Sequence, residues 1–177
     1  MIAVYHTNEH RGNETIVYAT GTEQWLGDGF YFWQDFEFAQ EWAKSVRNKY
    51  AKSDIYTVEL DLNFATDEYV IDTVFNEHDY YKFVEKVEYF ADVYFHQFKE
   101  KPSLEEFNSF ILDNKIRLWK DIKAIRFQDL PTNDRRDYLK VKGFFYKKRI
   151  QIVLFDTTKL LKKTITHVIE NNKFKNG

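Results

Sequence analysis

The sequence contains no cysteine among its 177 residues, which excludes disulfide bonds and metal sites built on thiolates. This absence is compatible with a reducing cytosol, and we expect a cytoplasmic protein. The chain also lacks an apolar run of about 18 residues, the length that a membrane-spanning helix needs. Its first residues, Met1 to His6, lack the basic-then-apolar order of a signal peptide. We therefore expect a soluble protein without a membrane partner.

Several motifs that carry nucleotide or hydrolytic chemistry are also missing. The sequence has no Gly-x-Gly-x-x-Gly, no Gly-x-Ser-x-Gly and no glycine-rich loop ending in Lys-Ser or Lys-Thr. These absences argue against a Rossmann turn, a serine-hydrolase elbow and a P-loop. His10, His78, His96 and His167 show no spacing typical of metal ligands, and we expect no metal site.

What the sequence does have is an aromatic content of 19% and an uneven charge. Residues 1–130 hold 14 Lys and Arg against 24 Asp and Glu, whereas residues 131–177 hold 12 against 4. A basic end on an acidic body can bind a polyanion. The alternative is a solvated surface that ends in a frayed tail.

Hydrophobic periodicity and caps predict an α+β chain. We predict strands at 2–6, 30–33, 55–62, 69–72, 122–127, 150–155 and 165–169. We predict helices at 35–51, from 78 or 79 to 98, and from Ser103, where Glu106 completes a capping box, to about 119. Residues 16–19 are a short strand or turn, and 157–161 a short helix or turn. Without a repeat or linker, we expect one domain, 1–177, with a helical insertion at 79–119 and a loose tail at 170–177.

The chain is organised around residues 27–43. Gly27 and Gly29 allow backbone angles and close approaches that a Cβ resists, and the β-forming run from Phe30 to Trp33 follows them. Asp35 can cap the next helix, which carries Phe38, Ala39 and Trp42 on one face. This unit is expected to bring Tyr31 and Trp42 towards one hollow, although two core aromatics would show the same spacing.

This unit resembles the nicotinamide-pocket motif of the ADP-ribosyltransferase superfamily, in the diphtheria-toxin and poly-ADP-ribose-polymerase branch with its His-Tyr-Glu pattern. The family motif, Gly-x-Gly-(Ile/Phe)-Tyr-Phe, matches residues 27–32, and Trp42 falls at the second aromatic position. Val4-Tyr5-His6-Thr7 is similar to the family's first strand, with Thr7 in place of a glycine. Residues 149–156 are similar to the late strand that carries the glutamate, but that position holds Gln151.

The resemblance implies a split core of two mostly antiparallel sheets with flanking helices, and NAD as the substrate, bound without a metal. His6 would contact the nicotinamide ribose or the adjoining phosphate region, Thr7 would contact the carboxamide, and Tyr31 and Trp42 would stack on the nicotinamide. Gly29 would also belong to the NAD-binding set. Arg11 or Arg47 could reach the pyrophosphate. The catalytic set implied is His6, Tyr31 and Gln151.

Gln151 is the main departure from the family pattern. Cleavage of the nicotinamide–ribose bond builds positive charge on the ribose, which a carboxylate stabilises. A glutamine amide can keep a hydrogen bond to the ribose but supplies no charge. Either a glutamine version operates, or Asp156 or Glu59 compensates, or the site binds NAD without rapid turnover.

The stretch before the late strand would face the acceptor of ADP-ribose. Its basic and aromatic residues suit phosphate contacts and base stacking, and they suit protein interfaces nearly as well. The acceptor-binding residues implied are Arg135, Arg136, Tyr138, Phe145, Tyr146 and Arg149. We expect transfer of ADP-ribose to a nucleic acid or protein by a bacterial or phage toxin or defence effector, with an antitoxin as a possible partner.

Two other interpretations stay open. The first is an inactive domain of the same fold that binds nucleic acid or a protein. The second is an unrelated α+β interaction protein, such as an inhibitor, in which the glycine–aromatic unit is coincidental.

Overall fold

The structure is a computed structural model that describes residues 1–11, 15–22, 24, 26–44, 52–129 and 148–170, with only the backbone described for 161–170. The strands within these residues are β1 (Ile2–Glu9), β2 (Phe30–Trp33), β3 (Lys52–Leu60), β4 (Val70–Asp72), β5 (Ala124–Gln128), β6 (Ile150–Leu154) and β7 (Leu160–Glu170). The helices are α1 (Phe36–Lys44), α2 (Glu77–Phe98) and α3 (Leu104–Asp113), and a 3-10 helix spans Thr157–Lys159.

The strands form one sheet in the order β4-β5-β6-β2-β1-β3-β7, and only the β4–β5 pair is parallel. The predicted α+β class and mostly antiparallel pairing are therefore confirmed. The two separate sheets that we expected are joined into one. Their junction is narrow, since β1 and β2 pair only at Tyr5 and Trp33, whereas β1 pairs with β3 from Ile2–Leu60 to Glu9–Ser53.

Alternating side chains cover the two faces of the sheet with separate apolar clusters. One face carries a loop-side cluster that includes Val4, Phe32, Tyr56 and Ile152, with Ile16 and Phe64 from loops packed against it. The other face carries the helices. There the α1 cluster contains Trp33, Phe38, Ala39, Ala43 and Ile55, and the α2–α3 cluster contains Ile71, Phe107, Leu118, Trp119, Ile125, Phe127 and Val153.

Local capping fixes where the two long helices begin. The Asn76 side chain accepts a hydrogen bond from the Asp79 N–H and caps α2. Ser103 and Glu106 form the predicted capping box of α3, with the Glu106 carboxylate 2.7 Å from the Ser103 N–H. Each device places a side-chain oxygen on an N–H that the first helical turn leaves unpaired.

Several boundaries differ from the sequence prediction, and pairing partners explain most of them. β1 continues to Glu9 instead of ending at His6 because β3 pairs with it along its whole length. β7 begins at Leu160 for the same reason. α3 ends at Asp113 instead of about 119, since Lys115 adopts a left-handed φ of 54°. Residues 16–19 hold a single bridge, between Ala19 and Gly29, and 45–51 and 171–177 lie outside the described residues.

Candidate functional site

The three segments that carry the resemblance lie side by side in the sheet, as β6, β2 and β1. Trp33 is opposite Gln151 and Tyr31 is opposite Val153. Residues that face each other across antiparallel strands project to the same side. Tyr31 and Gln151 therefore share the helix-covered face, as diagonal neighbours roughly 7–8 Å apart between their Cα atoms.

His6 lies where β1 and β2 diverge, and both of its ring nitrogens contact backbone groups. Nδ1 is 2.8 Å from the Tyr31 carbonyl oxygen, and Nε2 accepts a hydrogen bond from the Val17 N–H at 3.2 Å. Because a carbonyl only accepts, the proton must sit on Nδ1. The imidazole thus fills the gap that the separating strands leave.

The His6 ring is buried in the loop-side cluster, 5.7 Å from the Phe32 ring and 6.4 Å from the Tyr56 ring between centroids. Burial lowers the pKa of His6 to about 4, although the hydrogen bond to the Tyr31 carbonyl acts in the opposite direction. The imidazole is therefore neutral at physiological pH, and it lies on the face opposite to Tyr31. Its contacts here differ from the ribose contact that the resemblance implies.

Tyr31 is held by its hydroxyl group at the glycine turn. The oxygen accepts from the Leu26 N–H at 3.0 Å and donates to the Gly27 carbonyl at 2.7 Å. The ring packs against the α2–α3 cluster, edge-on to Phe127 at 6.2 Å between centroids. Burial raises the pKa of the Tyr31 phenol, so the group stays protonated as a fixed donor.

The two glycines of the motif are required by the fold for different reasons. Gly27 adopts a φ of +84°, a left-handed conformation that favours glycine. At Gly29, a Cβ would lie 2.6 Å from Val153 Cγ2 and 3.2 Å from the Leu154 carbonyl oxygen. Gly29 thus allows the close approach of β2 and β6, a role separate from the predicted ligand contact.

The remaining predicted NAD contacts lie around α1 and the end of β1. Trp42 is half-buried and packs on Trp33, with 6.3 Å between ring centroids, so it belongs to the α1 cluster whereas Tyr31 packs on the α2–α3 cluster. The Thr7 hydroxyl donates to the Ala39 carbonyl at 3.1 Å. Arg11 is exposed and lies 3.4 Å from the Glu9 carboxylate. The structure brings Thr7 and Trp42 to α1, away from the cluster that holds Tyr31.

Arg149 directly precedes β6 and lies on the same face as Gln151, because its guanidinium packs on Trp33, the residue opposite Gln151. Its guanidinium carbon is 5.2 Å from the Trp33 ring centroid, and Nη2 is 3.0 Å from the Asp129 carboxylate. Cation–π contact and the ion pair together fix this side chain. Sequence reasoning assigned Arg149 to the acceptor and overlooked Asp129, whose only signal was its position just after a predicted strand.

The two acids considered as substitutes for the missing charge at Gln151 lie elsewhere. Glu59 is on β3, which β1 and β2 separate from β6, a distance of about 14 Å at about 4.8 Å per strand. Asp156 is beyond the end of β6 and accepts from the Thr158 N–H and hydroxyl at 2.9 and 2.7 Å. Those hydrogen bonds lower the pKa of Asp156. Neither carboxylate is placed beside Gln151.

Two further polar groups were not predicted from the sequence. Fully buried Asp54 binds His10, with 2.7 Å between Oδ1 and Nδ1. Asp72 forms a two-bond ion pair with Arg126, at a hollow of about 500 Å³ on the loop-side face. Both pairs join residues far apart in the sequence, so no short sequence pattern could have predicted them.

Other predictions concern parts of the chain or kinds of site that the structure tests only partly. Arg47 and the implied acceptor residues Arg135, Arg136, Tyr138, Phe145 and Tyr146 lie outside the described residues. Within the described part, no group of three His, Asp or Glu side chains could hold a metal ion, and each described helix is too short or too polar to span a bilayer.

Comparisons with protein-family models, with curated proteins and with solved structures gave no significant match to this chain.

Proposed function

We propose that this chain is an ADP-ribosyltransferase-type domain that binds NAD on the helix-covered face of β6, β2 and β1. The observation that supports this most directly is the convergence of three distant segments. Tyr31 and Gln151 lie on the neighbouring strands β2 and β6 and share the helix-covered face. His6 lies on the next strand and projects to the opposite face, with its Nδ1 2.8 Å from the Tyr31 carbonyl oxygen. A coincidental match to the family motif would not require these segments to become neighbours.

The narrow junction between β1 and β2 is a second supporting feature. A sheet that divides after Tyr5 and Trp33 fits the split core that the resemblance implies. The site next to this division contains Tyr31, Gln151 and the Arg149 guanidinium. An aromatic ring can stack on the cationic nicotinamide, and a guanidinium can bind a phosphate oxygen of the dinucleotide.

In the proposed reaction, the bond between nicotinamide nitrogen and ribose C1′ breaks, and its electron pair leaves with nicotinamide. An O–H or N–H group of the acceptor bonds to C1′ and releases its proton to solvent or a base. The Gln151 amide can hold a ribose hydroxyl group, whereas it cannot neutralise the charge that builds up on the ribose. We therefore expect slow transfer in the natural sequence.

The test is incubation of the purified chain with labelled NAD and separate pools of RNA, DNA and protein. Gln151→Glu should raise the labelling rate about 10²–10³-fold, the usual effect of one electrostatic contact at the reacting centre. Gln128→Glu is the matched control, because Gln128 pairs with Ile150 and projects to the opposite face. No labelling and no NAD binding by the natural chain or by Gln151→Glu would contradict the proposal.

A second candidate is a binding domain of the same architecture that holds NAD, a nucleic acid or a protein without transfer. It is favoured by His6, which is neutral and whose two ring nitrogens contact backbone groups, and by the missing charge at Gln151. Calorimetric titration with NAD, followed by the labelling assay, distinguishes the two. Heat of NAD binding without label transfer, in both the natural chain and Gln151→Glu, would favour this second function with NAD as the ligand.

A further inference from the structure

Asn108 on α3 is a buried polar residue that the proposed reaction does not use. It is 7% exposed, and its Nδ2 donates to the Thr22 carbonyl at 2.8 Å and the Gln24 carbonyl at 2.7 Å. A carboxamide NH2 has two N–H groups, so each carbonyl has a donor of its own. These bonds join residues more than 80 positions apart in the sequence.

The backbone that Asn108 holds leads directly to the glycine turn. Two residues after Gln24, the Leu26 N–H donates to the Tyr31 hydroxyl, which donates in turn to the Gly27 carbonyl. An isolated antiparallel bridge between Ala19 and Gly29 joins the backbone on the two sides of this turn. The position of the Tyr31 hydroxyl is therefore determined by backbone that follows the two carbonyls bound to Asn108.

The same helix pair also supports the Tyr31 ring. Leu26 and Tyr31 both pack against the α2–α3 cluster, which includes Phe107, the neighbour of Asn108 on α3. The ring is thus held by apolar contacts with the α2–α3 cluster, and its hydroxyl group is held by the turn. The helix pair is therefore connected with this tyrosine in two ways, directly through apolar contacts and indirectly through the hydrogen bonds of Asn108.

We propose that Asn108 is a positioning residue for Tyr31 and that the helix pair α2–α3 serves to fix this ring in the NAD site. The part that concerns NAD rests on the proposed function. Removal of the carboxamide takes these donors from the Thr22 and Gln24 carbonyls. The turn keeps its own bonds, from the Gly27 N–H to the Gln24 carbonyl at 3.4 Å and between Ala19 and Gly29, but it holds the phenol less firmly. The ring then samples several orientations, of which only one suits stacking.

The experiment compares Asn108→Ala and Asn108→Ser with a control, Asn114→Ala. Serine keeps one hydroxyl donor, so Asn108→Ser should retain part of the protection at Leu26 and part of the NAD affinity, and it should fold even if Asn108→Ala does not. Asn114 is a matched control because its Nδ2 donates within the end of α3, to the Phe110 carbonyl at 2.9 Å. Each variant is measured for amide hydrogen exchange at Leu26 and for NAD affinity by calorimetry.

Asn108→Ala should speed exchange of the Leu26 N–H by about tenfold or more, as expected for loss of two hydrogen bonds. NAD affinity should fall by a similar factor in Asn108→Ala, fall less in Asn108→Ser and stay unchanged in Asn114→Ala. Unchanged exchange at Leu26 in Asn108→Ala would overturn the positioning role. Faster exchange in chains that do not bind NAD at all would support that role and overturn the proposed function.

Discussion

His6 should make the stability of this protein depend on pH in a window that its burial defines. The pKa falls from the ordinary value of 6.5 to about 4 in the folded chain. Between these values the unfolded chain binds a proton that the folded chain does not. Stability is therefore full above about pH 6.5, falls as the pH drops to about 4, and loses nothing more from this group below that.

The magnitude follows from the difference between the two pKa values. One pKa unit corresponds to about 1.4 kcal/mol, so protonation of His6 should remove about 3 kcal/mol from the free energy of unfolding across this window. That is a large part of the 5–15 kcal/mol that stabilises a typical domain. The cause is burial, which disfavours the charged imidazole and outweighs the hydrogen bond to the Tyr31 carbonyl.

The assay is urea unfolding at a series of pH values between about 7 and 4. His6→Gln replaces the imidazole with a side chain that does not titrate, so its stability should fall by about 3 kcal/mol less than that of the natural chain over this range. His96→Gln is the matched control, because His96 is exposed on α2, and it should follow the natural chain. Identical pH profiles for His6→Gln and the natural chain would refute the reasoning.

Two further predictions concern residues that the fold requires. Gly29→Ala should destabilise the protein by about 1–3 kcal/mol in urea unfolding, as overpacking does, since its Cβ would lie 2.6 Å from Val153 Cγ2; full stability would show that β2 and β6 can separate freely. Asp72→Asn should cost roughly 1–3 kcal/mol near neutral pH, because it leaves the half-buried Arg126 guanidinium without its anion. Burial raises the pKa of Asp72, but hydrogen bonds from Arg126 and two backbone N–H groups outweigh it and lower the pKa. The difference in stability between the natural chain and Asp72→Asn should therefore shrink as the pH falls below 3.8. A difference that does not change with pH would contradict the ion pair.

The sequence predicted the elements whose signals are local. The β-forming run at Phe30 to Trp33 is a strand as predicted, and the Ser103–Glu106 capping box begins α3. Both depend on residues only a few positions apart in the sequence, so a short stretch of sequence is enough to predict each of them. Helix α3 ends before the predicted residue because the backbone at Lys115 is left-handed. The prediction missed this end because the residue types there carry no comparable signal.

The residues of the candidate site remain a prediction. The motif picked out Tyr31, Gln151 and His6 from distant segments, and the structure places their strands next to one another, with His6 on the face opposite to Tyr31. The partners of each residue were not predictable. The hydrogen bond between His6 and the Val17 N–H and the placement of Arg149 beside Asp129 depend on which strands pair and on where the loops cross them.

By itself, the amino-acid sequence determined most of the strands and helices and the Ser103–Glu106 capping box, because those depend on periodicity and short-range hydrogen bonds, whereas the Asn76 cap of α2 was not predicted. Only the tertiary structure decided that one sheet divides between β1 and β2, that His6 and Tyr31 project to opposite faces, and that Asn108 from the helix pair holds the backbone before Tyr31. These arrangements join groups far apart in the chain, where packing of the whole core selects one pairing among many.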